Sequence, residues 1–170
     1  MIGIAMSLRL ELAGPEAAPA IAALRNAVAE GLTLRFGKGH WSGCSSERGV
    51  LYNLKTSRVY VAWDDGRPIA TLSLATKKPW AIDTAYFTPC KKSLYLTAMA
   101  VAPDLQRQGL GRRCLAEAEE LARAWPSDAI RLDAYDAAAG AGGFYAECGY
   151  REVGRVTYRT VPLIYYEKLV

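Results

Sequence analysis

Histidine is almost missing from this chain: His40 is the only one in 170 residues. Cysteine is scarce too, and Cys44, Cys90, Cys114 and Cys148 stand far apart with no Cys-x-x-Cys pair. A structural zinc site draws its ligands from closely spaced cysteine and histidine, so no metal is expected. The same spacing argues against a disulfide framework and fits reduced, mostly buried thiols in a cytoplasmic protein. There is no run of 18 apolar residues, and therefore no expected membrane-spanning helix. The opening Met1-Ile2-Gly3-Ile4-Ala5-Met6 is apolar, but it lacks the basic n-region and the length of a signal peptide. A one-sided charge is also lacking. With 21 basic and 17 acidic residues the net charge is +4, too mild and too dispersed to argue for nucleic acid.

What is present is ordinary globular composition, 51% apolar and 22% charged, without repeats, low-complexity tracts or linkers. One domain over residues 1–170 is expected, and a chain of that length buries about 70% of its unfolded-state surface without covalent staples. Residues 7–12 alternate weakly, as a short strand does. Gly14-Pro15-Glu16 opens a helix that runs through Ile21, Leu24 and Val28 to about Glu30, where Gly31 ends it. Residues 32–43 form an aromatic and basic loop with Phe36, His40 and Trp41, and Ser45 or Ser46 caps a second short helix. Residues 58–63 and 69–75 are strands joined by Asp64-Asp65-Gly66-Arg67, a strong hairpin signal. A long connection, 77–92, carries Trp80, Asp83, Tyr86 and Phe87. Residues 93–101 read as a buried strand stopped by Pro103, 110–124 as a helix and 129–135 as a strand. A glycine-broken helix at 138–147 then leads into two closing strands, 151–158 and 163–169.

The stretch Gln106-Arg107-Gln108-Gly109-Leu110-Gly111 separates that buried strand from the helix, whose apolar face is Leu110, Cys114, Leu115, Ala118, Leu121 and Ala122. Glycines allow the sharp turn, and the unpaired N–H groups and dipole at a helix start favour an anion. Arg107, Arg112 and Arg113 add forked donors suited to phosphate. Neither the third glycine of a dinucleotide fingerprint nor the Gly-Lys-Ser/Thr of an NTPase phosphate loop is present. Taken alone, the stretch also fits a tight strand–helix turn with solvated arginines.

From Met99 to Arg112 the residues Met-Ala-Val-Ala-Pro-Asp-Leu-Gln-Arg-Gln-Gly-Leu-Gly-Arg resemble the acetyl-CoA signature of the GNAT superfamily of N-acetyltransferases. Phe144-Tyr145-Ala146-Glu147-Cys148-Gly149-Tyr150 resembles that family's second motif. The element order β-α-α-β-β-β-α-β-α-β-β extends the likeness over nearly the whole chain. The resemblance implies an α/β (α+β) fold: a mixed, mostly antiparallel sheet of about seven strands with about four helices, splayed at the signature strand. It implies acetyl-CoA as co-substrate, held by Met99, Ala100, Val101, Gln106, Arg107, Gln108, Gly109, Leu110, Gly111 and Arg112. It also implies direct acetyl transfer to a small-molecule or peptide amine in a ternary complex, and in many members a homodimer. A non-catalytic acyl-CoA sensor and a scaffold protein are the alternatives.

In the family the motif tyrosine, here Tyr145, serves the departing CoA sulfur. A thiol with pKa about 8.5 leaves more readily than a phenol of about 10 gives up its proton, so a hydrogen bond to the thiolate is the better-founded role. Core packing with a satisfied hydroxyl is the alternative. The family often has Asn or Asp capping the following helix where this chain has Ala138, and Asp136 is the substitute cap. Gly140, Gly142 and Gly143 either admit pantetheine close to the backbone or mark an irregular helix. The general base is open among Asp83, Asp133, Glu30 and His40, with Asp133 also placed to pair with an arginine. Tyr95 and Thr97 are candidates for the acceptor pocket. Trp80, Tyr86, Phe87, Phe36 and Trp41 form either that pocket, a satellite apolar cluster or a dimer surface. Cys114 and Cys148 are expected to be buried and not to form an acyl-enzyme.

Overall fold

At the turn Asp64-Asp65-Gly66-Arg67 the backbone does what the residue types demand. Asp65 and Gly66 are both left-handed, with φ of 47° and 76°. That two-residue geometry matches the twist of the strands it joins, β2 (Arg58–Asp64) and β3 (Arg67–Ala75). The computed structural model describes residues 8–170, so the apolar opening and Ser7 lie outside the described residues. Seven strands form one sheet in the order β1-β2-β3-β4-β5-β7-β6. The others are β1 (Leu10–Leu12), β4 (Ser93–Val101), β5 (Ala129–Tyr135), β6 (Arg151–Tyr158) and β7 (Val161–Leu169). Every neighbouring pair is antiparallel except β4 with β5. Four α-helices complete the described residues: α1 (Ala18–Phe36), α2 (Glu47–Thr56), α3 (Leu110–Ala124) and α4 (Gly142–Glu147). None is long and apolar enough to cross a membrane.

Strand alternation sorts the core onto two faces. Tyr60, Ala62, Leu94, Leu96, Ile130, Leu132, Ile164 and Tyr166 pack on one face against Leu110, Cys114, Leu115, Ala118 and Ala122 of α3. On the other face Val59 and Val61 meet Ala18, Ile21 and Ala22 of α1 and Val50 of α2. Farther along that face, Tyr95 and Tyr165 pack with Ile82 and Phe87 from the connection 77–92. This connection is tied down by buried polar groups. Glu167 accepts from Arg151 Nη2 at 2.6 Å, from Thr88 N at 3.1 Å and from the Thr88 hydroxyl. Arg131 donates to the Thr88 carbonyl at 2.8 Å and to the Tyr95 hydroxyl at 3.2 Å.

Two helix boundaries differ from the expectation. Gly31 does not end α1; the helix continues to Phe36, and Gly37 closes it with φ of 81°, donating its N–H to the Thr33 carbonyl at 2.9 Å. A glycine inside a helix costs only about 1 kcal/mol, and the extra turn is held by Thr33, whose hydroxyl meets Ala29 O at 2.8 Å and Ser42 Oγ at 2.7 Å. The second difference is α4, which starts at Gly142 rather than 138. Asp136 does not cap it: its carboxylate faces Arg155 at 3.3 Å, and Ala141 stands at the N-cap. Ser46, by contrast, caps α2 by accepting from Gly49 N at 3.0 Å.

Candidate active site

The parallel contact of β4 and β5 is brief. Ser93, Leu94 and Tyr95 pair with Ala129, Ile130 and Arg131, and beyond Tyr95 the strands diverge, as the splayed sheet requires. On its other edge β4 stays bonded to β3, but with a bulge: Ser73 pairs with Thr97 and Thr71 with Ala100, so β4 carries one residue more. Ala98 absorbs it in the left-handed region at φ of 51°, a conformation that costs a non-glycine residue roughly 1–2 kcal/mol. Such a bulge re-aims the backbone that follows, here Met99 and Ala100, at the mouth of the seam.

A cleft of about 790 Å³ opens there. One wall is Met99, Ala100 and Val101 of β4, and its floor is the loop Gln106, Arg107, Gly109, Gly111 and Arg112. The loop turns through two left-handed residues, Arg107 at φ of 61° and Gly109 at φ of 82°. The first helical bond of α3 runs from Arg113 N to Gly109 O at 3.1 Å, which leaves the N–H groups of the preceding turn without intrahelical acceptors. Gln106 is fixed by its amide donating to Val101 O at 3.0 Å, and Arg112 donates to Glu147 O at 3.2 Å. Gln108 and Leu110 do not line the cleft: the Gln108 amide turns to Asp104 O at 3.1 Å, and Leu110 is core.

The glycines divide by purpose. Gly109 is needed for its backbone angle, whereas a Cβ on Gly111 would stand 3.0 Å from Phe144 Cζ, so Gly111 lets α3 and α4 approach each other. Gly140 is required by the Tyr135 carbonyl and Gly142 by the Tyr166 hydroxyl, 1.8 Å and 2.7 Å from the positions their Cβ atoms would take. Only Gly143 of the three has open space around it, on the cleft.

Tyr145 projects from α4 into the inner end of the cleft. Its ring is buried beside Phe144, Tyr150 and Tyr166, and its hydroxyl points at Met99 Sδ, 3.8 Å away. Burial first, then the neighbouring charges of Asp133 and Cys148, push the Tyr145 phenol well above its ordinary pKa. Of the base candidates, Asp83 caps the single turn at Thr84–Tyr86 by accepting from Ala85 N at 3.0 Å, and Glu30 and His40 are exposed. Asp133 differs. It is half-buried on β5, and among the described residues its carboxylate has no hydrogen-bond or ion-pair partner, since Arg131 is engaged with Thr88 and Tyr95. Burial holds its carboxyl above the usual range. Cys114 and Cys148 are poor nucleophiles: burial pushes the Cys114 thiol up to about 12, and that of the half-buried Cys148 is raised as well. Tyr95 is buried with Arg131 and does not line the cleft.

The Acetyltransferase (GNAT) family model matches residues 25–150. The chain belongs to the GNAT family. It is an acetyltransferase by that membership, and solved GNAT structures share its fold throughout. A GNAT acetyltransferase from Streptococcus agalactiae superposes with a TM-score of 0.77 at 15% identity, over 97% of this chain and 96% of that one. One from Listeria monocytogenes gives 0.75 at 18% identity, over 96% and 95%. The ribosomal-protein-S18-alanine N-acetyltransferase of Escherichia coli gives 0.69 at 18% identity, over 96% and 94%. No curated protein sequence matches significantly.

One wall of the GNAT cleft was legible in the sequence only at Phe36. Val28, Leu32, Arg35 and Phe36 of α1 line it, with the Arg35 guanidinium 4.9 Å above the Phe36 ring. Ending α1 at Gly31 hides this wall, because only a continued helix carries residues 32–36 along the cleft. The signal available was the i, i+4 spacing of Val28, Leu32 and Phe36 across the glycine.

Proposed function

We propose that this GNAT acetyltransferase takes acetyl-CoA as donor and passes the acetyl group directly to an amine in a ternary complex. The observation that carries this reading is the convergence on one cleft of the β4 bulge, the start of α3 and the Tyr145 hydroxyl. The free N–H groups of the 106–112 loop and the side chains of Arg107 and Arg112 hold the pyrophosphate, with Gln106, Gln108, Gly109, Leu110 and Gly111 shaping the backbone around it. The backbone N–H groups of Met99 and Val101 polarise the thioester carbonyl, whereas that of Ala100, in line with Ala102 N on Ile69 O, faces β3. The amine nitrogen attacks that carbon, the C–S bond breaks, and Tyr145 donates a hydrogen bond to the departing thiolate. The proton leaving the nitrogen passes to Asp133 through water, since Asp133 is not among the residues that line the cleft. A lysine-like amine must lose that proton at a cost of about 4.6 kcal/mol at pH 7, and a carboxylate whose pKa is already raised takes it more readily than an ordinary one.

Direct attack is supported by Cys114 and Cys148, whose raised pKa values oppose an acyl-enzyme at either thiol. The chain acts as one catalytic unit over residues 1–170, in the cytoplasm, and pairs as a homodimer through exposed aromatics such as Trp80, which is 84% exposed. The deciding experiment joins calorimetry of acetyl-CoA with thiol release over a panel of amines. Micromolar binding with amine-dependent thiol release is expected. Binding without release from any amine makes the protein a sensor, and absence of binding makes it a scaffold. Light scattering at tens of micromolar tests the dimer.

A further inference from the structure

We propose that the acceptor is a primary amine on an apolar, ring-bearing chain with no carboxylate beside the nitrogen, held by a collar of His40, Trp41 and Tyr135 above Asp133. This rests on the acetyl-transfer reading above and goes on to the substrate class. The segment between α1 and α2 is folded onto the end of β5. Tyr135 donates its hydroxyl to the His40 carbonyl at 3.2 Å. The His40 ring lies 6.4 Å from the Tyr135 ring at 26°, and the Trp41 ring lies 6.3 Å from it at 68°. The collar is braced from behind, because Trp41 Nε1 donates to Gly37 O at 2.9 Å and Gly39 N donates to Ser42 Oγ at 3.0 Å.

Asp133 stands two residues before Tyr135 on the same strand, hence on the same face and about 6.6 Å deeper in the seam. Across the register it faces Tyr165 of β7. An unpaired carboxylate beneath aromatic rings is a site for an ammonium group, with ring faces favouring the cation and the methylenes that follow it. A carboxylate on the amine-bearing carbon would meet the opposite. The guanidinium groups on this face are engaged elsewhere, Arg131 with Thr88 and Tyr95, Arg151 with Glu167, Arg25 with Asn53 and Ser73, and Arg35 with the Phe36 ring. A substrate carboxylate would therefore sit against the Asp133 charge with no free buried guanidinium to offset it.

2-Phenylethylamine and phenylalanine share ring and spacing and differ by that one carboxylate. Thiol release from acetyl-CoA should favour 2-phenylethylamine in kcat/KM by on the order of 10²-fold, the scale of two like charges about 5 Å apart at a protein surface. Asp133→Asn should slow both and shrink the preference to a few-fold. Trp41→Ala should raise the KM for 2-phenylethylamine roughly 5-fold with kcat little changed, and Trp41→Phe should restore it. Equal or better use of phenylalanine overturns the proposal, as does an unchanged KM in Trp41→Ala. If other primary amines release thiol and neither of these does, the acceptor class is wrong while the acetyl-transfer reading stands. If no amine releases thiol, that reading falls and this one with it.

Discussion

Replacing Tyr145 by phenylalanine removes one oxygen and leaves the ring among Phe144, Tyr150 and Tyr166, whose centroids lie 5.3, 5.8 and 6.1 Å away. The lost bond goes to a thioether sulfur at 3.8 Å, a weak acceptor, so unfolding stability should change by less than about 1 kcal/mol. The catalytic cost should be far larger. A preorganised donor aimed at charge that develops only in the transition state is worth about 2.7–4 kcal/mol, or roughly 10²–10³ in rate. Burial chiefly, then Asp133 and Cys148, keep the phenol protonated well above its ordinary pKa. Complete proton transfer to the thiolate is thus harder than for a free tyrosine, and the defect should be the same from about pH 6 to about pH 9. Stopped-flow single-turnover thiol release separates the chemical step from product release, with acetyl-CoA affinity measured alongside. A single-turnover rate within about 3-fold of wild type would refute the role. Parallel loss of rate and cofactor affinity would mark Tyr145 as a packing residue.

Asp133→Asn should lower the transfer rate at least ~10²-fold yet raise the unfolding temperature at neutral pH. Burial raises the native carboxyl above its unfolded value near about 3.9, so the native state holds the proton more tightly. Wild-type stability then falls as pH rises through the native pKa, and thermal unfolding against pH should show that slope in wild type only. Tyr135, Tyr145 and Tyr165 are the titratable groups that feel the Asp133 charge, and the wild-type rate should fall as acid protonates it. Gly111→Val should cost about 1–3 kcal/mol by overpacking against Phe144 and weaken acetyl-CoA binding too; an unchanged melting temperature refutes the packing role. Gly31→Ala should stabilise by about 0.5–1 kcal/mol, since its Cβ meets only Pro103 Cγ at 3.9 Å; a lower melting temperature would contradict the continuous α1.

Residues whose local chemistry and tertiary environment agree were legible in the sequence. The β2–β3 turn, the apolar face of α3 and the buried 93–101 strand follow from patterns that packing reinforces. Where two signals compete, local reading fails. Gly31 looks like a helix stop, and only the tertiary ties of Thr33 carry α1 past it. Asp136 looks like a cap, but Arg155 across the sheet claims it. Gly140 and Gly142 look like room for a ligand, and the structure gives that space to Tyr135 and Tyr166. The isolation of Asp133 could not be read at all. It depends on where Arg131, two residues earlier, sends its guanidinium, and that is set by the far end of the 77–92 connection.

A sheet normally has two free edges, and each is a hazard because its unpaired amides can recruit another chain. Past Tyr95 this sheet has two more, facing each other inside the molecule. They are safe for geometric reasons. The seam narrows to a closed end at Tyr95 and Arg131, Ala98 interrupts the regular ladder, and α4 and the segment carrying His40 and Trp41 stand over the opening. A folded partner's strand has no run of matched amides to zip onto and no width to enter. A slender molecule can lie along the β4 side and satisfy a few amides at once. The divergence therefore filters by thickness: the open edge of β4 past Tyr95 admits a slender chain but not the strand of a folded partner.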